Sequence, residues 1–464
     1  MQRMLFLDPE AIESMSNIQL VVNQPQDYQI VLHPDRAWES MFIAFYLTVI
    51  EDGGRLRMWY TCRDKKGQGG VAYSESIDGV RWEKPDLGIV EYNGSKHNNL
   101  VGIPYLEGTV FIDPHAPPEA KYKYLTSVHR EGIFLYFSSD GFHWKRRSEP
   151  FLPFVADSQN VIFWEPGLNE YVLYLRGWTI HPRRRTVVRM TTPDLTSPAI
   201  NHSGGNPGYS SSDSTRPHIT TEAPVVFACD QDDPEITDVY TMAALPYPVE
   251  PGYYLAFPSL YHNFPGPPEG RFHNDGRNEV HCLGSTNGVN WHRYDRKPYL
   301  RPGLDGTATC NMVFIGHGMI QRGDQLWQYG TGYRTTHGDI EGRRKNADGV
   351  VFRVSQRLDG FVSVDTDYRV GKLTTSPVSC MGNCLILNLD TGALGNARVE
   401  ILDAEDCPVP GFLASECDPV QVNSTSVQVT WNGKPDLNVL QGKTIKLCFL
   451  MQSCKLYSAR FAEI

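Results

Sequence analysis

The chain has 464 residues, with 53 acidic against 43 basic side chains, a net charge of −10 and a pI near 5.8. Nucleic acids and anionic membranes select basic surfaces, so this balance argues against both as partners. With 41% hydrophobic residues the chain can bury a sizeable core, and 41 Gly with 32 Pro suit a turn-rich, all-β architecture.

Residues 1–29 read as a lead-in, with Leu5-Phe6-Leu7 and Ile18-Gln19-Leu20-Val21-Val22 as edge strands. No long apolar leader precedes them, which points to a cytoplasmic location. No run of about eighteen apolar residues predicts a membrane span. The ten cysteines show no C-x-x-C pair and are expected to be free thiols; no metal or other cofactor is indicated, a structural calcium ion included. The oligomeric state stays open.

From Phe42 onward the chain repeats a short meander. Alternating apolar runs at Phe42–Val49, Leu56–Tyr60 and Val71–Ser74 end in Ser76-Ile77-Asp78-Gly79-Val80-Arg81-Trp82. A second unit runs through Thr109–Ile112, Tyr122–Leu125 and Ile133–Phe137 to Ser139-Asp140-Gly141-Phe142-His143-Trp144. A third holds Val161–Trp164, Tyr171–Leu175 and Thr186–Met190, with its last turn changed to Pro193-Asp194-Leu195. A fourth runs from Val239 to Ser285-Thr286-Asn287-Gly288-Val289-Asn290-Trp291, and a fifth from Met312 to a degraded copy, Leu358-Asp359-Gly360-Phe361. Asp-Gly and Asn-Gly suit tight hairpins in which both central residues take positive φ, and the Trp anchors the outgoing strand. Five units of about seventy residues predict a five-bladed β-propeller over residues 1–368. Short period-two strands then predict a C-terminal β-sandwich over 369–464. The polar stretches Ser197–Pro224 and Asn263–Asn278 read as long loops beside the propeller mouth.

The chain resembles the five-bladed glycoside hydrolases of families 32, 43 and 68, and is most similar to family-32-like bacterial proteins. The resemblance rests on Arg57-Met58-Trp59-Tyr60 with the first Asp-Gly turn, on Asp157-Ser158-Gln159-Asn160-Val161-Ile162-Phe163-Trp164, and on Val427-Gln428-Val429-Thr430-Trp431. It implies a carbohydrate substrate and cleavage of a glycosidic bond. The nearest counterpart of the family's nucleophile motif is His33-Pro34-Asp35-Arg36-Ala37-Trp38-Glu39.

In a propeller, acids placed just before the inner strands converge on one central mouth although they lie far apart in sequence. Asp35 and Glu39 precede the first inner strand, Asp157 the third and Asp238 the fourth. Glycoside hydrolysis needs one protonated carboxyl and one carboxylate, and crowded like charges raise one pKa. These four are the candidate catalytic acids. Asp113 follows its strand in an Asp-Pro turn and reads as structural. Trp38, Arg130, Asn160, Arg176, His262, His317 and His337 are candidates for binding sugar hydroxyls or rings. The leading expectation is an exo-acting hydrolase on a furanose-type or related glycoside. The alternatives are a sialidase-like hydrolase, a glycoside phosphorylase drawing on Arg183-Arg184-Arg185, and a non-catalytic carbohydrate-binding propeller.

Overall fold

A computed structural model describes residues 3–128, 131–152, 156–179, 184–196 and 224–463. Among them the chain is almost entirely β, with a single α-helix, Ile340–Asn346. Seven antiparallel sheets account for the strands.

Five of these sheets follow one another along the sequence. The first is Phe42–Asp52, Arg55–Arg63 and Gly69–Ser76; the second starts with Gly108–Ile112, the third with Val161–Glu165 and the fourth with Thr237–Pro246. The fifth contains Met312–Ile315, Gln325–Tyr333 and Val350–Arg357, and Asp27–Leu32 pairs with its last strand. The first strands of sheets one to four touch in sequence order. Met312–Ile315 packs on the fourth sheet, and Gln325–Tyr333 returns to Phe42–Asp52. The sheets thus form a closed, propeller-like ring, sealed where a strand from the chain's start completes the fifth sheet.

The turn repeats tie four of the five sheets to the one before them in the ring. In all three full copies the Asp or Asn Oδ1 accepts from the two amides that follow it: Val80 and Arg81, Phe142 and His143, Val289 and Asn290. A serine two residues upstream of the Asp or Asn accepts the glycine amide. Only the glycine takes positive φ, at 76°, 83° and 67° for Gly79, Gly141 and Gly288. The expected doubly positive turn is therefore replaced by one in which the carboxylate or amide side chain does the turning. Each glycine carbonyl then accepts from an aromatic side chain of the preceding sheet. Tyr329 reaches Gly79, Trp59 reaches Gly141 and Tyr174 reaches Gly288, at 2.9, 2.8 and 2.6 Å. The degraded copy keeps the same logic, since Tyr247 of the fourth sheet donates to Asp359 at 2.6 Å.

The remaining two sheets share one apolar core that includes Phe6, Leu385, Leu387, Val399, Trp431, Leu447 and Phe449. They hold the C-terminal strands predicted from periodicity, and also strands from the opposite end of the chain. Arg3–Leu5 pairs with Lys455–Ala462, Ile12–Ser16 with Gly371–Thr375 and Gln19–Val22 with Val362–Asp365. The lead-in, expected to belong with the ring, is for its first twenty residues part of this second unit. Long-range pairing of this kind leaves no local trace in the sequence.

Candidate functional site

The inner strands begin at one end of the ring, and the hairpin that closes their neighbours lies there too. At this mouth the first sheet carries an irregularity. Between Ile43 and Leu47 its first strand loses register with Arg55–Arg63, and Ala44 takes φ 58°. The bulge turns Phe45 onto the axis, where its ring meets Tyr240, Phe314, Tyr333 and His337 of the fourth and fifth sheets at centroid distances of 5.2–6.4 Å. Tyr46, Tyr261 and Leu106 complete this aromatic floor.

Two carboxyl groups meet above it. Glu107 ends the approach to the second sheet's inner strand, one residue before Gly108. Burial, and then the charge of Asp157, push its carboxyl up to about 7, against the weaker opposing pull of Arg63 and Arg176. Asp157 stands before the third inner strand with its side chain 52% exposed, and receives Arg176 Nη1 at 2.8 Å. Arg176 is buried, also donates to the Tyr240 carbonyl and stacks on the Tyr240 ring at 4.7 Å. The pair therefore holds one carboxyl poised to carry a proton near neutrality and one paired with a guanidinium. That division of labour is what acid–base cleavage of an acetal needs.

Farther round the mouth, Asp238 and Arg185 form a buried ion pair at 2.9 Å, with Arg185 stacked against Trp178, Tyr240 and Tyr261. Tyr240 Oη lies 2.9 Å from His337 Nε2. Burial, then the charges of Arg343 and Arg185, hold the His337 imidazole down at about 3, so it stays neutral. The loop that delivers His337 is pinned by Asp275, which accepts from the Gly338 amide at 2.6 Å and Thr336 Oγ1 at 3.0 Å. Residues 264–275 and 334–349 thus wall one side of the mouth together. Among the described residues no group of three His, Cys, Asp or Glu side chains is placed to hold a metal ion.

Of the sequence candidates, Asp157, Arg176, Asp238 and His337 come together at the mouth. Glu39 does not. It is fully buried, accepts from the Asp35 and Arg36 amides and from Tyr60 Oη, and pairs with Lys84 at 2.7 Å. Both carboxylate oxygens are engaged, so the residue caps its 3₁₀ turn and anchors Lys84, which follows the outer strand of the first sheet. Asp35 is exposed and shares the same lysine at 2.6 Å. Trp38 donates to Asn99 at 2.9 Å and packs edge-on against Tyr92, again on the outer side. Asp238 is at the mouth but locked to Arg185, leaving no free acid there. Asn160 is buried and clasps its own loop through the Ala156 and Ser158 carbonyls, which shapes the approach to Asp157 and leaves no group for a ligand. His262 faces Thr237 and Glu279 within the fourth sheet. His317 lies beyond the far end of the inner strands, where it lines a second cavity with Val49 and Val110, away from the mouth. Arg130 and most of the loop 197–224 lie outside the described residues. Asp113 is structural as expected, accepting from Tyr171 Oη at 2.6 Å.

Glu107 is not among the candidates picked from the sequence. The signal was present: an acid immediately before the Gly108–Ile112 run, the position already used to pick candidates for the other sheets.

No family model matches the chain. A stretch of 113 residues is 32% identical to the uncharacterized protein Rv1502 of Mycobacterium tuberculosis (strain ATCC 25618 / H37Rv), covering 23% of this chain and 34% of that protein. This chain therefore spans about a third of that relative. The solved structures it resembles include glycoside hydrolases. One is a family 43 arabinoxylan arabinofuranohydrolase from Bacillus subtilis in complex with cellotetraose, at 10% identity over 94% of this chain and 99% of that one, TM-score 0.40. Another is the family 117 glycoside hydrolase Zg3597 from Zobellia galactanivorans, at 11% identity over 73% and 90%, TM-score 0.41. An N-acetylgalactosamine deacetylase from F. plautii in complex with blood group B trisaccharide matches at 14% identity over 74% and 97%, TM-score 0.43.

Proposed function

We propose that this chain is a glycoside hydrolase, a five-bladed propeller closed by Asp27–Leu32 and carrying a β-sandwich assembled from both chain ends. Its reaction is carried by Glu107 as general acid and Asp157 as the charged partner, with Arg176 positioning Asp157. The observation that carries this reading is the placement of Glu107, buried close to Asp157, where burial and the Asp157 charge push its carboxyl up to about 7. A carboxylic acid protonated near neutrality can donate to a departing glycosidic oxygen, while the second carboxylate attacks the anomeric carbon or activates water. The wall formed by residues 264–275 and 334–349 favours a pocket that admits a chain end, and a furanose-type glycoside is the substrate class we favour.

The competing readings fit less well. A phosphorylase needs free basic groups, yet Arg176 and Arg185 are each neutralised by a carboxylate. A sialidase-like site needs a cluster of unengaged arginines and six sheets in its ring. A purely binding propeller has no use for a buried carboxyl whose pKa is raised to about 7 beside a second acid.

A panel of nitrophenyl glycosides that includes furanosides tests the reading. The wild type should hydrolyse at least one member without added phosphate. Asp157→Asn and Glu107→Gln, checked as folded by circular dichroism, should each lose at least about 100-fold in kcat/KM. Full activity in either variant, or turnover that depends on phosphate, would overturn the assignment.

A further inference from the structure

Three arginines at the mouth are buried: Arg176, Arg185 and Arg343. The first two have carboxylates at 2.8 and 2.9 Å. Arg343, on the helix Ile340–Asn346, is only 4% exposed, and among the described residues no carboxylate lies within ion-pair distance of it. Its Nε donates to Thr335 Oγ1 at 3.2 Å, and its Nη2 to the Thr336 and His337 carbonyls, each at 2.7 Å. These partners are all neutral. Nη1 has no partner among the described residues and is not sealed from solvent. The guanidinium carbon lies 5.6 Å from the centre of the Phe45 ring, on the axis of the mouth, and 5.7 Å from that of Tyr333.

The carboxylates of the same wall are committed elsewhere. Asp275 pairs with Arg271 at 3.1 Å and accepts from Thr336 Oγ1 and the Gly338 amide. Asp339 accepts from the Gly342 amide at 3.0 Å and faces Arg271 at 3.4 Å. Asp348 accepts from the amides of Arg334, Thr335 and Gly349. On the other side of Phe45, Arg63 donates to the Gly67 carbonyl at 3.3 Å and also has no carboxylate within ion-pair distance among the described residues. Glu107, on which Arg63 acts only weakly, is driven toward its neutral form by burial. With Arg176 and Arg185 matched by Asp157 and Asp238, Arg63 and Arg343 leave the floor of the mouth short of negative charge, although the chain as a whole carries −10. A buried charge without a counter-charge is costly, and a ligand that supplies one relieves that cost.

We propose that the mouth takes a sugar acid: the sugar held over the aromatic floor carries a carboxylate, and Arg343 Nη1 receives it. This rests on the hydrolase reading and names the substrate class of that same site. A neutral sugar would use the aromatic floor but would leave Arg343 without a counter-charge. One free nitrogen suits a singly charged carboxylate, whereas a phosphate dianion calls for a wider set of donors.

Isothermal titration of the full chain with D-galacturonate and D-glucuronate, beside D-galactose, D-glucose and inorganic phosphate, tests the proposal. At least one acid should bind one to one with a Kd of about 1 mM, and its neutral parent at least about tenfold more weakly. Arg343→Gln should abolish that preference and leave the neutral sugar unchanged. Because Arg343 also holds the 335–337 segment, a second variant keeps its hydrogen bonds intact. Ile340→Glu places a carboxylate one helical turn from Arg343 and should cancel the preference in the same way. Glu107→Gln should bind the acid as the wild type does. A protein that prefers the acid but cleaves no nitrophenyl glycoside supports this site and sinks the hydrolase reading alone. One that cleaves neutral glycosides but binds acid and parent equally sinks this inference alone. A preference that survives in Ile340→Glu or in folded Arg343→Gln would overturn the proposal. So would phosphate binding more tightly than either acid, or no saturable binding of either acid up to about 50 mM.

Discussion

Replacing Glu107 with Gln should make the protein more stable at alkaline pH while removing its activity. The carboxyl moves from an ordinary 4.5 to about 7 in the folded chain. A raised folded-state value means that the native state binds the proton more tightly than the unfolded one. The stabilising contribution is then fully present below pH 4.5 and is lost as pH rises through 7. The shift corresponds to about 3 kcal/mol, all of it absent above pH 8. Glutamine is close to the neutral carboxyl in shape and carries no charge at any pH. The Glu107→Gln variant should therefore match the wild type near pH 4.5 and exceed it by up to about 3 kcal/mol at pH 8.5. Urea denaturation followed by tryptophan fluorescence, repeated from pH 4.5 to 9, measures the difference without any knowledge of substrate. The difference should grow between pH 5 and 8 and then level off. A pH-independent difference would mean that Glu107 is not desolvated as described, and the acid role would fall with it. In a parallel activity series, kcat/KM of the wild type should decline above pH 7 as the acid ionises.

Three further outcomes follow from the packing. Asp157→Asn removes the like charge that helps to hold Glu107 protonated, so the decline in stability with pH should be smaller and end at a lower pH in that variant; an unchanged profile would separate the two carboxyls. Glu39→Ala should destabilise the fold by about 2–4 kcal/mol, because it takes the buried carboxylate from Lys84, leaves that lysine only the exposed Asp35 as a counter-charge, and removes the acceptor of the Tyr60 hydroxyl, and chemical denaturation should show this while Asp35→Asn changes stability by less than about 1 kcal/mol. Gly141→Ala should cost about 2–4 kcal/mol, since φ is 83° and a Cβ would lie 2.7 Å from the Trp59 ring; a thermal shift within error of zero would contradict the docking role of the turn.

Much of the ring was legible because its repeats are local. The serine, the Asp or Asn and the glycine are read within four residues, and their hydrogen bonds close within the same span. Their partners are not local. Nothing around Trp59 in the sequence says that its indole will reach Gly141, and nothing around Asp27–Leu32 says that this strand will complete a sheet three hundred residues away. The same limit explains why Arg3–Val22 was assigned to the ring. An edge strand with mixed polarity carries its register in its partner, here Lys455–Ala462, Gly371–Thr375 and Val362–Asp365.

The site was legible to a different degree, and the reason is electrostatic. Position along the strand picks out acids near the mouth, among them Asp157 and Asp238. It does not say which acid keeps a neutral proton. That depends on what else is buried nearby. Glu39 has Lys84 and Tyr60 within 2.7 Å, and Asp238 has Arg185 at 2.9 Å, so each carboxyl group has a close cation of its own. Glu107 lacks such a close cation: Arg63 and Arg176 act on it only weakly, and Arg176 is already committed to Asp157. A buried acid without its own cation, next to an acid that has one, is driven toward the protonated form. The functional distinction among the acids of this mouth therefore lies in how the arginines are distributed. Arg176 and Arg185 reach the mouth from the two sides of one hairpin in the third sheet, and each selects a different carboxylate. Their choice leaves Glu107 as the acid that burial drives toward its protonated form.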